Sequence, residues 1–281
     1  MRVVNLRDPD RLRPFLWADR YFADYALGDL DPAHFQLAEW FGAEEAGELR
    51  SVVMVYHDLQ PSIFFATGDI PGIELILDRM VRPPKIELSI REECLPSVEK
   101  HYRAETIPML KMALEPANRQ RVSSFVLERA TDQSSPVSLK RLDVSHMPLL
   151  EELYAYGGGD AFRQRSLELG VFYGIFAGER LVAVAGTHIV SANEKLAALG
   201  NVMTHPAYRG RGLATVATYT VCEELLDRGI QLIGLSVGRY NQAAQRVYEK
   251  IGFKRYVPFF EGMAIKIEHD KQQLLISEES Q

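Results

Sequence analysis

The chain has 281 residues, 47% hydrophobic and 25% charged, which is the composition of a globular protein of roughly two domains and excludes disordered, collagen-like and disulfide-rich classes. Its net charge of -6 argues against a general nucleic-acid-binding protein, because such proteins carry a basic excess. Cys94 and Cys222 are far apart and lack a CxxC pattern, so we expect neither a disulfide nor a metal site, and a reduced, cytoplasmic setting. No long apolar segment predicts secretion or membrane spanning.

The N-terminal half alternates predicted strands and helices. Apolar periodicity and turn residues predict helices near 10–17, at 71–80 and near 96–103, and strands at 3–6, 35–41, 49–56, 62–66 and 85–90. A polar stretch at 130–136 then separates an apolar run at 122–127 from a new strand start at 137–140. We therefore divide the chain into an N-terminal domain (1–130), a linker (131–136), a second domain (137–267) and a polar tail (268–281).

The C-terminal half repeats a similar order of elements. A helix is predicted at 148–156, followed by strands at 171–176, 180–190 and 196–203. The next predicted elements are a helix at 213–228, a buried strand at 231–237, a helix at 241–251 and a terminal hairpin of 253–256 with 259–267. Asn241 is a natural N-cap and Gly252 a natural stop for the last helix. The shared order predicts a repeat at domain scale within a mixed α/β chain.

The turn at residues 209–214 is the strongest sequence signal for a ligand, because it joins a predicted strand to a predicted helix. Gly210 and Gly212 allow a ligand to approach the backbone closely, and the free N–H groups at the start of the helix favour an anion. Arg209 and Arg211 add positive charge. These features predict a turn that binds phosphates.

Two other phosphate-binding motifs do not fit this turn. A P-loop requires a lysine followed by a serine or threonine after its last glycine, and that pair is missing. A dinucleotide fingerprint requires a third glycine where Thr215 stands, and an acidic residue after the next strand, where residues 236–239 supply none.

The residues of this region resemble a known family. Arg209, Gly212 and Ala214 match the form Arg/Gln-x-x-Gly-x-Gly/Ala of the acyl-coenzyme A motif of the GNAT N-acyltransferase superfamily. A second GNAT signature is matched by Asn241, Ala244, Tyr248 and Gly252-Phe253. The resemblance covers residues 137–267 in full and the first half more weakly. It implies an α/β fold with two GNAT-like domains, each a mostly antiparallel, mixed α+β sheet that is twisted and flanked by helices.

The resemblance implies that acetyl-coenzyme A is the co-substrate and that no metal takes part. Val202 and Thr204 would lie on a strand that splays from its neighbour and offers backbone groups to the pantetheine arm. Asn241 would touch the pantetheine or an ordered water, and Ala244 would keep its path clear. The implied cofactor-binding residues are Val202, Met203, Thr204, Arg209, Gly210, Arg211, Gly212, Leu213, Ala214, Asn241 and Ala244.

The implied reaction is direct attack of a primary amine on the acetyl thioester, with Tyr248 as the catalytic acid. Its phenol, with an ordinary pKa near 10, would protonate a departing thiolate with a pKa near 8.5. The chain departs from many GNAT members because residues 196–202 offer no carboxylate where the family often places its base. His188, Asp160 and Glu168 stay open as the base.

The first half is expected to bind no coenzyme A. At its corresponding turn, 66–72, Asp69 and nearby Glu74 would repel phosphate, and Pro71 removes a backbone donor. This half would instead wall the acceptor cleft, contribute to a homodimer or hold a second ligand.

The acceptor stays open among amino acids, polyamines, aminoglycosides and protein N-termini. We expect a small-molecule amine or a peptide or protein amine, with no nucleic acid and no membrane as partner. A non-catalytic acyl-coenzyme A sensor or interaction protein and an O-acyltransferase are the alternatives, since the fold alone does not fix the function.

Overall fold

The computed structural model describes residues 1–80, 82–120, 137–159 and 162–268. Contacts divide the chain into two units that interleave along the sequence. Unit 1 comprises Met1–Arg7, Leu37–Ile107 and Phe260–Gln281, and unit 2 comprises Asp8–Gln36 and Pro108–Phe259, in each case as far as the structure describes them. The predicted linker at 131–136 and most of the polar tail lie outside the described residues, as does the apolar run at 122–127.

The described strands are, in chain order, β1 (Arg2–Asn5), β2 (Ala38–Glu45), β3 (Glu48–Tyr56), β4 (Ser62–Gly68), β5 (Lys85–Ile90), β6 (Tyr102–Leu114), β7 (Val137–Arg141), β8 (Tyr173–Ala177), β9 (Arg180–Ser191), β10 (Leu196–Thr204), β11 (Leu232–Gly238) and β12 (Lys254–Lys266). The described helices are α1 (Pro9–Ala18), α2 (Asp24–Gly28), α3 (Pro32–Phe35), α4 (Ile70–Arg79), α5 (Leu95–Glu99), α6 (Met147–Tyr154), α7 (Gln164–Leu169), α8 (Leu213–Asp227) and α9 (Gln242–Ile251). Strands β6 and β12 contribute residues to both units.

Unit 1 is a sheet in the order β1-β2-β3-β4-β5-β12, antiparallel except for the parallel pair β4 and β5. The helix α4 connects these two parallel strands and buries Ile73, Ile76 and Leu77 against the sheet. Spacing of three and four residues puts these side chains on one face of the helix, which explains why this segment is helical and packed.

In unit 2 the strands follow the order β6-β11-β10-β9-β8-β7, with β10 and β11 as the parallel pair. The helix α8 connects this pair, as α4 does in unit 1. One apolar cluster joins α8 and α9 to the sheet, and another joins α6 and α7 to it. The predicted fold class, a mixed α/β chain with mostly antiparallel strands flanked by helices, is therefore confirmed.

The division by contacts differs from the predicted division in three places. Residues Asp8–Gln36 and 108–120 belong to unit 2, and residues 260–267 belong to unit 1. The helices α1 and α2 bury Leu12, Leu16 and Leu27 almost completely, and the turn between them buries Phe22. The side chains of Arg13 and Trp17 on α1 both contact Glu194, which follows β9. The N-terminal segment is thus a structural part of the unit that contains the predicted phosphate-binding turn.

Two sequence predictions of secondary structure are wrong. Residues 253–256 and 259–267 form no hairpin, because Lys254–Lys266 is one continuous strand, β12. The helix predicted near 96–103 ends at Glu99, and a long strand that the sequence did not predict, β6, follows from Tyr102. Pro108 and Lys111 interrupt the apolar alternation of β6, so its pattern is not that of a regular strand.

Candidate active site

Strands β10 and β11 part at their carboxyl ends. Their parallel pairing runs from Leu196–Leu232 to Leu199–Leu235 and stops there. β10 continues to Thr204 along β9, and β11 continues to Gly238 along β6. Beyond these last pairs β10 and β11 do not pair with each other, and such a separation can offer backbone groups to a ligand.

A β-bulge lies on β10 at the point where the strands part. The pairing with β9 shifts register between Gly200 and Met203, and Asn201 has a φ of 56°. A positive φ is uncommon for a residue other than glycine, and here the hydroxyl of Tyr154 donates a hydrogen bond of 2.8 Å to the Asn201 carbonyl. Burial raises the pKa of Tyr154, so this donor keeps its proton. Helix α6 therefore stabilises the bulge through its Tyr154 side chain.

The predicted phosphate-binding turn connects β10 to α8. Gly210 and Gly212 have φ values of 78° and 81°, which glycine adopts without strain. The first bond within α8 runs from the Val216 N–H to the Gly212 carbonyl at 3.1 Å, so the N–H groups before it are not used by the helix. These donors, the helix dipole and the adjacent arginines form an anion-binding geometry.

The two arginines of the turn are exposed and differ in their contacts. Arg209 Nε donates to the Thr204 carbonyl at 3.2 Å, which leaves its terminal nitrogens for a ligand. The guanidinium of Arg211 lies 5.0 Å from the ring centroid of Tyr208. Met203 and Leu213 are buried, whereas the side chains of Val202 and Ala214 are half-buried.

Helix α9 begins at the carboxyl end of β11. Asn241 Oδ1 accepts a hydrogen bond from the Ala244 N–H at 3.1 Å, so Asn241 caps the helix and its amide nitrogen stays available on an exposed side chain. Sequence reasoning missed Gln245, whose buried Nε2 donates to the carbonyls of Gly238 and Arg239 at 3.1 and 2.8 Å. Gln245 thereby fixes the end of β11 to the start of α9.

Tyr248 lies on the buried side of α9, with 8% of its surface exposed. It belongs to the apolar cluster that also contains Leu213 and Val216 of α8 and Val237 of β11. Burial, with a smaller contribution from Cys222, raises the pKa of Tyr248 to about 12. The phenol is therefore protonated at neutral pH, as a proton donor must be.

The three candidate bases have different surroundings. His188 on β9 lies at the bulge, since a Cβ atom added to Gly200 would be 1.8 Å from His188 Nε2, and its Nδ1 lies 3.5 Å from Asn201 Nδ2. Glu168 is exposed on α7 and accepts a hydrogen bond from Gln164 at 2.9 Å. Asp160 lies outside the described residues. Burial, with the nearby Lys111 ammonium, lowers the pKa of His188 to about 4, so the imidazole is neutral at pH 7.

The corresponding turn of unit 1 has a different geometry. The parallel pairing of β4 and β5 continues from Ser62–Ile86 to Ala66–Ile90, and Ile90 is the last residue of β5. Asp69 is 2.7 Å from an Arg50 nitrogen, and Glu74 is 2.6 Å from Lys100 Nζ. Asp69 is the N-cap residue of α4, a position that Gly212 occupies before α8.

Metal-binding and membrane-spanning features are not found in the part of the chain that the structure describes. Within it, no group of three or more His, Cys, Asp or Glu side chains is placed to hold a metal ion. None of its helices combines the length and the apolar character needed to cross a bilayer.

Known proteins that are similar to this chain include acetyltransferases. Residues 140–253 match the family model described as "Acetyltransferase (GNAT) family". A mycothiol acetyltransferase from Thermomonospora curvata is 33% identical over 84 residues, which span 30% of this chain and 28% of that protein.

Two solved structures show the same fold. A putative GNAT acetyltransferase from Novosphingobium aromaticivorans is 22% identical, covers 73% of this chain and 84% of its own, and has a TM-score of 0.51. A tandem GNAT protein from the clavulanic acid biosynthesis pathway is 12% identical, covers 96% of this chain and 99% of its own, and has a TM-score of 0.57. Residues 140–253 thus match the GNAT acetyltransferase family, and the solved GNAT structures share the fold of the chain.

Proposed function

We propose that unit 2 transfers an acetyl group from acetyl-coenzyme A to a primary amine by direct attack on the thioester. The observation that carries this proposal is the parting of β10 and β11 after Leu199 and Leu235, between the glycine turn and the cap of α9. An open strand edge suits the amides of a pantetheine arm, and the turn beside it suits a pyrophosphate. The name of the mycothiol acetyltransferase relative supports acetyl transfer in general, over the short segment that it shares.

The cofactor would lie along β10 and end at the start of α8. Backbone groups of Val202 and Thr204 would pair with the pantetheine amides, while residues 209–214 would hold the pyrophosphate. The exposed amide of Asn241 would reach the arm, and the small side chain of Ala244 would leave it room.

The chemical step needs a neutral amine, one proton acceptor and one proton donor. The amine lone pair forms the new N–C bond at the thioester carbonyl, and the C–S bond breaks. His188, as a neutral imidazole beside the bulge, would accept the proton that the attacking nitrogen loses, and Tyr248 would give its proton to the leaving sulfur. Open N–H groups of β10 would polarise the carbonyl.

The surroundings of His188 favour amines of low pKa. An imidazole with a pKa of about 4 is a weak base that removes few protons from a free ammonium ion, so the amine has to arrive in its neutral form. At pH 7 an α-amine is neutral about one tenth of the time, and a lysine-like amine in roughly one part in 2,500. The proposed acceptor is therefore an α-amine or an amine of similar pKa.

Unit 1 is proposed to bind no coenzyme A. Its strands β4 and β5 stay paired to the last residue of β5, and the cations Arg50 and Lys100 are already paired with Asp69 and Glu74. One equivalent of coenzyme A should therefore bind to each chain.

The proposal is tested by thiol release from acetyl-coenzyme A with a panel of amines, and by the mass of the product. Arg209→Ala should weaken cofactor binding, with Arg103→Ala, which alters an exposed arginine of β6, as the control. An amide product with thiol release supports the proposal. Tight binding with no thiol release from any amine would indicate a sensor, and an ester product would indicate an O-acyltransferase; either result contradicts it.

A further inference from the structure

A buried ion pair lies on the sheet face of unit 2 that α2 covers. Lys111 on β6 and Asp24 on α2 are each about 1% exposed, and Lys111 Nζ is 2.6 Å from Asp24 Oδ1. The other carboxylate oxygen of Asp24 lies against Gly234 of β11, where an added Cβ would be 2.1 Å away. Since removing two charges from water costs several kcal/mol for each ion, such a pair adds little stability compared with apolar residues. What the ion pair contributes therefore depends on its position relative to the active site.

The pair is one of several attachments of the N-terminal segment to this sheet. Arg13 Nε and Trp17 Nε1 donate to the buried Glu194 carboxylate at 2.8 and 3.2 Å. Asn193 Nδ2 donates to Asp31 Oδ1 at 2.7 Å. These contacts hold the segment on both sides of α2, so the placement of α2 does not depend on Lys111 alone.

The ring of Tyr25 connects the ion pair to His188. Lys111 Nζ lies 4.1 Å from the Tyr25 ring centroid, a cation–π distance, and 5.3 Å from the ring centroid of Phe259. The centroids of Tyr25 and His188 are 6.0 Å apart at 45°. On its other side, His188 meets Gly200 and Asn201 of the bulge. The imidazole thus lies between α2 and β10.

Of the charged groups near His188, Lys111 has the clearest effect on the pKa of the imidazole. The Asp24 carboxylate forms an ion pair with Lys111, and the Tyr154 hydroxyl donates a hydrogen bond to the Asn201 carbonyl. Two other acids in the described part of unit 2 are buried: Glu194 accepts hydrogen bonds from Arg13 and Trp17, and Asp29, which follows α2, is mostly uncharged at pH 7 because burial and Asp31 raise its pKa to about 8. The lowering of the His188 pKa by burial is therefore reinforced by Lys111 and is not cancelled by a nearby carboxylate.

We propose that Lys111 is a positioning residue of the active site: anchored by Asp24, it holds the Tyr25 ring against His188 and places its positive charge near that imidazole beside the bulge. The catalytic value of this arrangement rests on the proposed function, in which a neutral His188 accepts the proton of the attacking amine. None of the residues Asp24, Tyr25 and Lys111 lies in the segment 140–253 that matches the GNAT family. The N-terminal segment would thus serve the acceptor side of the reaction.

The test compares two double variants, each of which lacks a different ion pair. Asp24→Asn with Lys111→Met removes the proposed pair and leaves no unpaired buried charge, whereas Arg13→Met with Glu194→Gln removes another pair of the same segment, away from His188. The imidazole of His188 is titrated by NMR in the full chain without cofactor. In the first variant we expect its midpoint to rise by about half a pH unit or more, while burial keeps it below 6.5, and in the second variant we expect no change.

A midpoint that stays as in the parent, or that rises equally in both variants, overturns the proposal. A substitution that leaves the charges in place gives a second test if the first variant does not fold. Tyr25→Leu should lower kcat/KM for the acceptor tenfold or more with little change in the KM for acetyl-coenzyme A, and equal effects on both substrates would contradict a positioning role.

The titration separates this inference from the proposed function, because it needs no substrate. If the midpoint rises as expected but no amine releases thiol, the proposed function alone fails. If thiol is released and the midpoint does not rise, the role of Lys111 alone fails.

Discussion

Gly210→Ala is the most direct test of the phosphate-binding turn. Gly210 has a φ of 78°, and a Cβ added there would meet no atom within 4 Å, so the substitution causes no collision inside the protein. An L-residue in this left-handed conformation costs about 1–2 kcal/mol. For a domain of this size, such a loss lowers the Tm by roughly 2–8 °C.

Gly229→Ala is a matched control at the other end of the same helix. Gly229 has a φ of 85°, and its added Cβ would also meet no atom within 4 Å. The two substitutions should therefore cost similar stability, although the predicted ligand lies at Gly210 alone. A difference between them in cofactor binding cannot then be attributed to backbone strain.

The expected loss of affinity follows from the bonds at stake. A methyl group at residue 210 stands where a phosphate would approach, and displacing one charge-assisted hydrogen bond costs about 1.5–3 kcal/mol. Binding of coenzyme A, measured by calorimetry, should weaken about 10–150-fold in Gly210→Ala and stay near the parent value in Gly229→Ala. Equal affinity in the two variants, with equal Tm losses, would refute the assignment of the turn.

Three further outcomes are expected. Tyr248→Phe should lower kcat by about 10²-fold or more, with little effect on the Tm or on coenzyme A affinity, because it removes the proton donor and keeps the buried ring; an unchanged kcat in the thiol-release assay would exclude Tyr248 as the acid. The pKa of Asp29 is raised from 3.8 to about 8 in the fold, mainly by burial. Its contribution to stability is therefore fully present below pH 4 and is lost as the pH rises through 8. Asp29→Asn should therefore be more stable than the parent at pH 9 by more than about 1 kcal/mol in denaturant unfolding, and the difference should shrink toward pH 4. Glu194→Gln should lower the free energy of unfolding by about 1–2 kcal/mol, because it weakens the contacts to the partly exposed Arg13 and to Trp17; an unchanged unfolding midpoint would show that this contact contributes little.

The phosphate-binding turn and its flanking elements could be predicted from the sequence because their signals are local. Glycines at the turn, an N-cap at Asn241 and a stop at Gly252 each follow from the backbone geometry that these residues favour, and the structure shows the left-handed turn and both caps. The parallel pairing of β10 and β11 ends after Leu199 and Leu235, which is compatible with the splay that the family resemblance implied. The cofactor-binding and catalytic roles of these residues stay predictions.

The acceptor side of the site could not be predicted in this way. Lys111 and Asp24 are separated by 87 residues, and no local periodicity indicates that they meet. A lysine in an irregular strand and an aspartate in a short helix each look like solvent-exposed residues when the sequence is considered alone. The low pKa of His188 and the raised pKa of Asp29 arise from burial, which only the fold defines.

The order of the chain through unit 2 has a consequence for its synthesis. Arg13 on α1 pairs with Glu194, which lies 181 residues later in the chain. At ordinary translation rates, Glu194 is therefore synthesised about 10 to 40 s after Arg13. During that interval the apolar side chains of Leu12, Leu16 and Phe22 lack the sheet that later buries them. The nascent chain should thus depend on chaperones for much of its elongation, and a recombinant fragment begun after residue 36 should aggregate, since it would leave an apolar sheet face uncovered.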